Sequence, residues 1–317
     1  MPELVTFGET MLRLSAPDGE RLSRTDSLDV HVGGAESNVA VAAANLGVTA
    51  RWLSKLPNSP LGQRVVHALR GEGVVPEVVW TAEGRVGTYY LEAGGDPRGT
   101  KVVYDRAGAA IRTAATDELP LDRIERADAF YTSGITPALS GTLVSTTADL
   151  LTAATAADTT TVFDLNYRAK LWSPDRAKET IEALLPAVDV LFVAERDARN
   201  VLGLKGEANG IAAHLLREYD LDTAVITRGE LGAVALHDGV VHEQPVFEAE
   251  TRDAVGTGDA FVGGFLARRL RGGTVSEALE DAAAAAALKR TLPGDMATLT
   301  PDDVASVVDA DGNRIDR

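Results

Sequence analysis

Short apolar runs of β-type residues alternate along this chain with Ala- and Leu-rich helical stretches, and that alternation restricts the fold more than any other feature. Val5–Phe7, Thr161–Asp164, Leu191–Val193 and Thr223–Thr227 read as strands, while Ala35–Leu46, Ala260–Arg271 and Ser276–Arg290 read as helices. Repeated strand–helix units build a mostly parallel sheet with helices on its faces, so the expected class is α/β. A length of 317 residues allows one large domain of this kind or two smaller ones. Ala282–Ala287, inside the last long helix, is too short to span a membrane and reads as a closely packed surface.

Two segments break the alternation. Leu12–Val32 and Arg85–Ala107 follow a strand–turn–strand pattern, the second with Gly94, Gly95 and Gly99 between Thr88–Glu92 and Lys101–Tyr104. With helices largely missing, they are expected to form a small antiparallel sheet standing off the main body as a lid; ordinary edge hairpins are the alternative.

Composition excludes several function classes. Forty-seven acidic against 31 basic residues give a net charge of −16, which opposes nucleic acid and anionic lipid as partners. The absence of cysteine excludes disulfides, thiolate catalysis and Cys-ligated metal sites. No apolar run reaches about 18 residues, and Glu3 and Glu9 stand where a secretory signal would be basic and then apolar, so no membrane contact and a cytoplasmic location are expected. Only six of the basic residues are Lys, a balance that suits a salt-adapted, halophilic or GC-rich source and equally a merely acidic mesophile.

The chain has no GxxxxGK[ST], HExxH or GxSxG motif, and its five histidines show no ligand-type pairing. Gly256-Thr257-Gly258-Asp259-Ala260-Phe261 carries the first two glycines of a dinucleotide fingerprint but ends in Phe and lies far from an initial βαβ unit. What it does offer is a glycine turn opening a helix. Such a turn aims unpaired N–H groups and the positive end of the helix dipole at one point, which suits a phosphate. Asp259 beside it is placed to accept a proton from an attacking hydroxyl, or else only caps the helix. A second stretch, Val32-Gly33-Gly34-Ala35-Glu36-Ser37-Asn38, opens an Ala/Val helix with a diglycine. Close backbone approach at Gly33 and Gly34 and a hydrogen bond from Asn38 to a hydroxyl are one reading, tight helix packing by small residues the other.

Taken together, these two stretches resemble the paired signatures of the PfkB, or ribokinase-like, carbohydrate kinases. FGE near the start, Asp164-Leu165-Asn166-Tyr167-Arg168 and Ile226-Thr227-Arg228-Gly229-Glu230-Leu231-Gly232 extend the resemblance over nearly the whole chain. It implies a single ribokinase-like domain over residues 1–317, with a mostly parallel central sheet, a small β-sheet lid, dimerisation through the lid, and phosphorylation of a sugar hydroxyl with ATP and Mg2+. Within that resemblance Asp259 corresponds to the catalytic base, and Gly256, Thr257 and Gly258 to the anion hole, with Asp253 supporting the turn or a cation shell. Ala254 stands where Thr is frequent and Thr257 where Ala is frequent, and neither change removes a backbone N–H. On the nucleotide side Asn166, Arg168, Thr227, Gly229, Gly232, Gly256 and Gly258 correspond to cofactor-binding positions. The family's usual Asn-x-x-Glu reads Ala194-Glu195-Arg196-Asp197 here, which leaves the metal ligands unassigned.

The substrate follows from the arginines, because a sugar acid requires a fixed cation for its carboxylate. Gly34, Tyr89, Tyr104, Arg106 and Arg168 match positions that 2-keto-3-deoxygluconate kinases use around substrate, with Asn38 and Asp295 as further hydroxyl contacts. Tyr89 and Tyr104 could instead be a cross-strand packing pair, and Arg168 could serve ATP. The resemblance thus implies a 2-keto-3-deoxygluconate 6-phosphotransferase, with a fructokinase or other ketose kinase as the rival and a catalytically silent sugar-binding or regulatory protein as the alternative of a different class.

Overall fold

Seven strands run parallel through the centre of the molecule: β1 (Glu3–Phe7), β4 (Thr49–Pro57), β5 (Val75–Thr81), β8 (Ala129–Ser133), β9 (Thr160–Asp164), β10 (Val190–Ala194) and β11 (Thr223–Thr227). The remaining strands are β2 (Met11–Ser15), β3 (Asp29–Gly33), β6 (Thr88–Glu92), β7 (Lys101–Asp105), β12 (Ala233–His237) and β13 (Val240–Gln244). The structure is a computed structural model that describes residues 1–312. The large sheet has the order β13-β12-β11-β10-β9-β8-β1-β4-β5, in which β12 and β13 add an antiparallel hairpin at one edge.

Alternate residues of the central strands serve opposite faces, as the period-two geometry of a strand requires. Val5, Phe7, Phe130 and Phe163 enter one apolar cluster; Leu4, Tyr131, Val162 and Phe192 enter the other. Both faces are covered, which is why these strands read as continuous apolar runs in the sequence. On the second face the helix Thr257–Leu270 lies between the helices Ala35–Asn45 and Val275–Arg290, and small residues allow the close approach. A methyl group on Gly263 would sit 2.5 Å from the Ala42 side chain, and one on Gly264 would sit 3.0 Å from Ala285, so the alanine run is a packing surface.

The two segments that interrupt the alternation form a separate four-stranded sheet of order β3-β2-β6-β7. Its outer pairs, β2–β3 and β6–β7, are antiparallel, but the central β2–β6 pair is parallel. The reason is connectivity: β2 and β6 are separated by a long excursion through the large sheet, so no tight hairpin forces them to run oppositely. Among the described residues no helix is long and apolar enough to cross a membrane.

Candidate active site

Several scaffold helices begin with side-chain caps. Ser140 and Ser173 accept hydrogen bonds from the N–H groups of Leu143 and Arg176, and Thr274 forms a reciprocal capping box with Glu277. Two long helices start instead at a glycine with no side-chain cap: Ala35–Asn45 at Gly34 and Thr257–Leu270 at Gly256. Gly256 is left-handed (φ 82°), and a methyl group on it would lie 2.0 Å from the carbonyl oxygen of Asp295, so both conformation and space require glycine. The helix therefore begins at Thr257, three residues before the start expected from its apolar pattern, and Asp259 sits inside its first turn. The Thr257 N–H turns back to the Ala254 carbonyl at 3.3 Å and Ala260 makes the first intrahelical bond, so the N–H groups of Gly258 and Asp259 have no partner among the described residues and are available as first-turn donors.

These glycine-started helices face an open cavity of about 350 Å³ between the small sheet and the carboxyl ends of the parallel strands, where open α/β sheets bind ligands. The sugar-side positions read from the sequence converge on it: Gly34 and Asn38 from the first helix, Tyr89, Tyr104 and Arg106 from the small sheet, Arg168 from the loop after β9, and Asp295 from the C-terminal loop. Gly256, Thr257, Gly258 and Asp259 form its floor, and Asn166 (φ 42°) reaches it from the loop.

Nucleotide-side positions group elsewhere. Thr227, Gly229 and Gly232 line a second cavity of about 420 Å³ whose other wall is Val246, Phe247, Ala283, Ala286 and Ala287. A smaller recess of about 210 Å³ holds Asp164, Asn166, Arg168 and Asp197. Gly258 lines all three spaces, whereas Gly256 faces only the first, so of the two glycines Gly258 alone borders the nucleotide side.

Charges inside the site are heavily paired. Asp259 accepts a hydrogen bond from the Asn38 amide at 2.7 Å; burial pushes its carboxyl up to about 6, against the opposing effects of that bond and of Arg168. Asp164 is pushed up to about 7 by burial and by the charge of Asp259. Arg106, 9% exposed, is ion-paired with the buried Glu9 and lies over the Tyr104 ring at 5.2 Å. The Tyr89 and Tyr104 rings, cross-strand neighbours in register, are 5.8 Å apart, so they pack on each other and line the cavity as well. The Tyr89 hydroxyl donates to Asp295, which also takes Arg13 at 3.2 Å; the Asp295 carboxylate is therefore engaged by protein groups as well as bordering the cavity.

No group of three or more His or acidic residues forms a cation cage among the described residues. Asp197 is buried and pairs with Arg196 at 3.3 Å, and Glu195 pairs with Arg199 at 2.6 Å.

Glu9, Arg13, Glu36 and Lys289 escaped the sequence reading. Glu36, in the first turn of the helix Ala35–Asn45, is wholly buried, accepts from the Ser133 N–H and the hydroxyls of Ser133 and Thr136, and is pushed up to about 7 by burial. A charged residue within an otherwise Ala/Val helix start is the signal for it; Glu9 lies in the FGE stretch that carries part of the family resemblance.

The profile of the pfkB family of carbohydrate kinases matches residues 1–302. A 2-dehydro-3-deoxygalactonokinase of Haloferax volcanii is 59% identical over 315 residues, covering 99% of each chain. A 2-dehydro-3-deoxygluconokinase of Bacillus subtilis is 32% identical, covering 97% of this chain and 96% of the relative. The crystal structure of 2-dehydro-3-deoxygluconokinase from Thermotoga maritima superposes with a TM-score of 0.92 at 36% identity, covering 98% of this chain and all of that one. With its ribokinase-like large sheet, its small separate sheet and these relatives, the chain belongs to the pfkB family of carbohydrate kinases and resembles its 2-dehydro-3-deoxy-sugar kinases.

Proposed function

We propose that this protein transfers the γ-phosphoryl group of ATP to the 6-hydroxyl of a 2-keto-3-deoxy sugar acid, with the galactonate epimer preferred. The observation that carries the reading is the position of Asp259 on the cation-lined cavity at an uncapped helix start whose neighbouring Gly258 borders the apolar cavity as well. The gluconate epimer, the substrate the sequence resemblance favoured, is the second reading, supported by the names of the more distant relatives. The 59% identity to a galactonokinase favours the first.

Asp259 takes the proton of the attacking hydroxyl, and Asn38 holds its carboxylate toward the cavity. The free N–H groups of Gly258 and Asp259, with Gly256 and Thr257 shaping the turn, face the charge that builds on the transferred phosphoryl group. Arg106 recognises the substrate carboxylate, flanked by Gly34, Tyr89 and Tyr104, while Arg168 borders both the sugar cavity and the recess beside it and can address substrate or phosphate. Thr227, Gly229 and Gly232 cradle the nucleotide, and the Ala283–Ala287 wall takes the adenine. The pfkB kinases use ATP with Mg2+, which neutralises phosphate charge. The residues fit both: free N–H donors and an apolar wall suit a triphosphate nucleotide, and Asp164 and Asp197 are the oxygen donors nearest the phosphate side.

The test is a coupled kinase assay on 2-keto-3-deoxygalactonate, 2-keto-3-deoxygluconate, fructose and ribose. The reading expects both acids to exceed both neutral sugars in kcat/KM by at least about 100-fold, the effect of losing a charge-assisted contact. Equal use of fructose identifies a ketose kinase, and no turnover on any sugar identifies a silent binder.

A further inference from the structure

One lysine is out of place. Lys289, near the end of the helix Val275–Arg290, is 0% exposed, although a lysine at a helix end ordinarily reaches for water. Its Nζ donates to two main-chain carbonyls, of Asp253 at 3.3 Å and of Leu292 at 3.1 Å. Asp253 opens the segment that leads into the Gly256 turn, and the Cε of Lys289 lies 3.3 Å from the position a methyl group on Gly256 would take. An apolar side chain would fill this space without the cost of burying an ammonium, so packing alone does not explain the residue.

The surroundings do. The Asp253 carboxylate accepts from the N–H groups of Val255 at 3.0 Å and Gly294 at 3.1 Å, and forms an ion pair with Arg13 at 2.7 Å. Arg13, on β2 of the small sheet and 5% exposed, also pairs with Asp295, whose carbonyl oxygen presses on Gly256. Two cations, Arg13 and Lys289, thus stand against two carboxylates, Asp253 and Asp295, immediately behind the turn. Burial pushes the Lys289 amine down, and the two carboxylates oppose that shift.

We propose that Lys289 is a positioning residue for phosphoryl transfer: its buried ammonium holds the Asp253–Gly256 segment by the main chain and, with Arg13, cancels the negative charge behind the anion-binding turn. The inference rests on the reading of that turn as the anion hole. Losing the cation leaves a net negative charge facing the incoming phosphoryl oxygens and frees the turn. Lys289 itself lines neither the sugar cavity nor the nucleotide cavity, so its loss removes no direct ligand contact.

The test compares Lys289→Met with the unaltered enzyme for kcat, for KM of the keto-deoxy acid and for the Kd of MgADP, with circular dichroism to verify folding. The expected result is a kcat about 10- to 100-fold lower, the size of effect that misplacing a reacting group produces, with KM and Kd changed no more than about threefold. Adding Asp253→Asn, which removes the excess negative charge, recovers part of that kcat. A kcat within about twofold of the unaltered enzyme overturns the proposal, as does a loss shared equally by both binding constants. Should Lys289→Met fail to fold, Arg13→Met carries the test from the small sheet, with a lowered kcat expected and an unchanged one contradicting. Failure of the underlying functional reading is distinguishable, because it appears in the unaltered enzyme as absence of turnover on keto-deoxy acids.

Discussion

The two halves of the proposed cleft are built from different materials. The sugar side is built from long charged and aromatic side chains, several carried by the small sheet and paired with residues far away in sequence: Arg106 with Glu9, Arg13 with Asp253 and Asp295, Tyr89 with Asp295. The nucleotide side is built from backbone and small residues: Gly229 and Gly232 at left-handed φ, with Ala283, Ala286 and Ala287 opposite. A methyl group on Gly232 would lie 2.0 Å from the Gln244 carbonyl oxygen, so that wall is set by main-chain geometry. On the proposed function, charge chemistry selects the acceptor, whereas shape accepts the donor. Asp259 and Gly258 stand where the halves meet.

The largest effect is expected at that junction. Asp259→Asn should lower kcat by roughly 100- to 10,000-fold, the usual contribution of a general base, while MgATP binding measured by calorimetry stays intact. Retained turnover would dissolve the distinction between a catalytic junction and two binding halves. Arg106→Ala should raise KM for the keto-deoxy acid by about 10- to 100-fold and leave KM for ATP near its original value, since only one side loses a charged partner. Equal changes in both constants would show that the halves are not separable. Ala286→Leu, on the opposite wall, should do the converse on a smaller scale, raising KM for ATP about threefold to tenfold by overpacking.

Acid sharpens the comparison further. A base whose pKa is raised to about 6 loses its charge as pH falls through that value, so kcat/KM should drop about tenfold per pH unit below it. The sign for folding is opposite. A raised carboxyl pKa means that the ionised form is the costly one when buried, and protonation between about 6 and the ordinary 3.8 relieves that cost. The acid loss of rate should therefore precede any loss of near-ultraviolet circular dichroism. The smallest effect is in dynamics: keto-deoxy acid should slow hydrogen exchange across residues 11–33 and 85–107, and identical exchange with and without it would remove closure of the small sheet from the account.

Much of the fold was legible because parallel strands buried on both faces leave continuous apolar runs, as Val5–Phe7 and Thr223–Thr227 do. The parallel β2–β6 pair was not, since strand direction across a long excursion has no local signal. Asp259 and its turn were legible because Gly256 advertises a left-handed position before a helix. The pairing of Arg106 with Glu9, 97 residues away, and of Arg13 with Asp295, 282 residues away, depends on tertiary contact that no spacing encodes. Lys289 was hidden for a different reason: a basic residue in the last turn of a helix is the ordinary complement to the helix dipole, and only its burial reveals another use.

The most direct measurement is a crystal structure holding a 2-keto-3-deoxy sugar acid together with a non-hydrolysable ATP analogue. The account places a carboxylate oxygen of Asp259 within hydrogen-bonding reach of the 6-hydroxyl, about 2.6–3.2 Å, with that hydroxyl facing the γ-phosphate over Gly258. A structure in which both carboxylate oxygens of Asp259 lie out of reach of the hydroxyl while another group contacts it would contradict it.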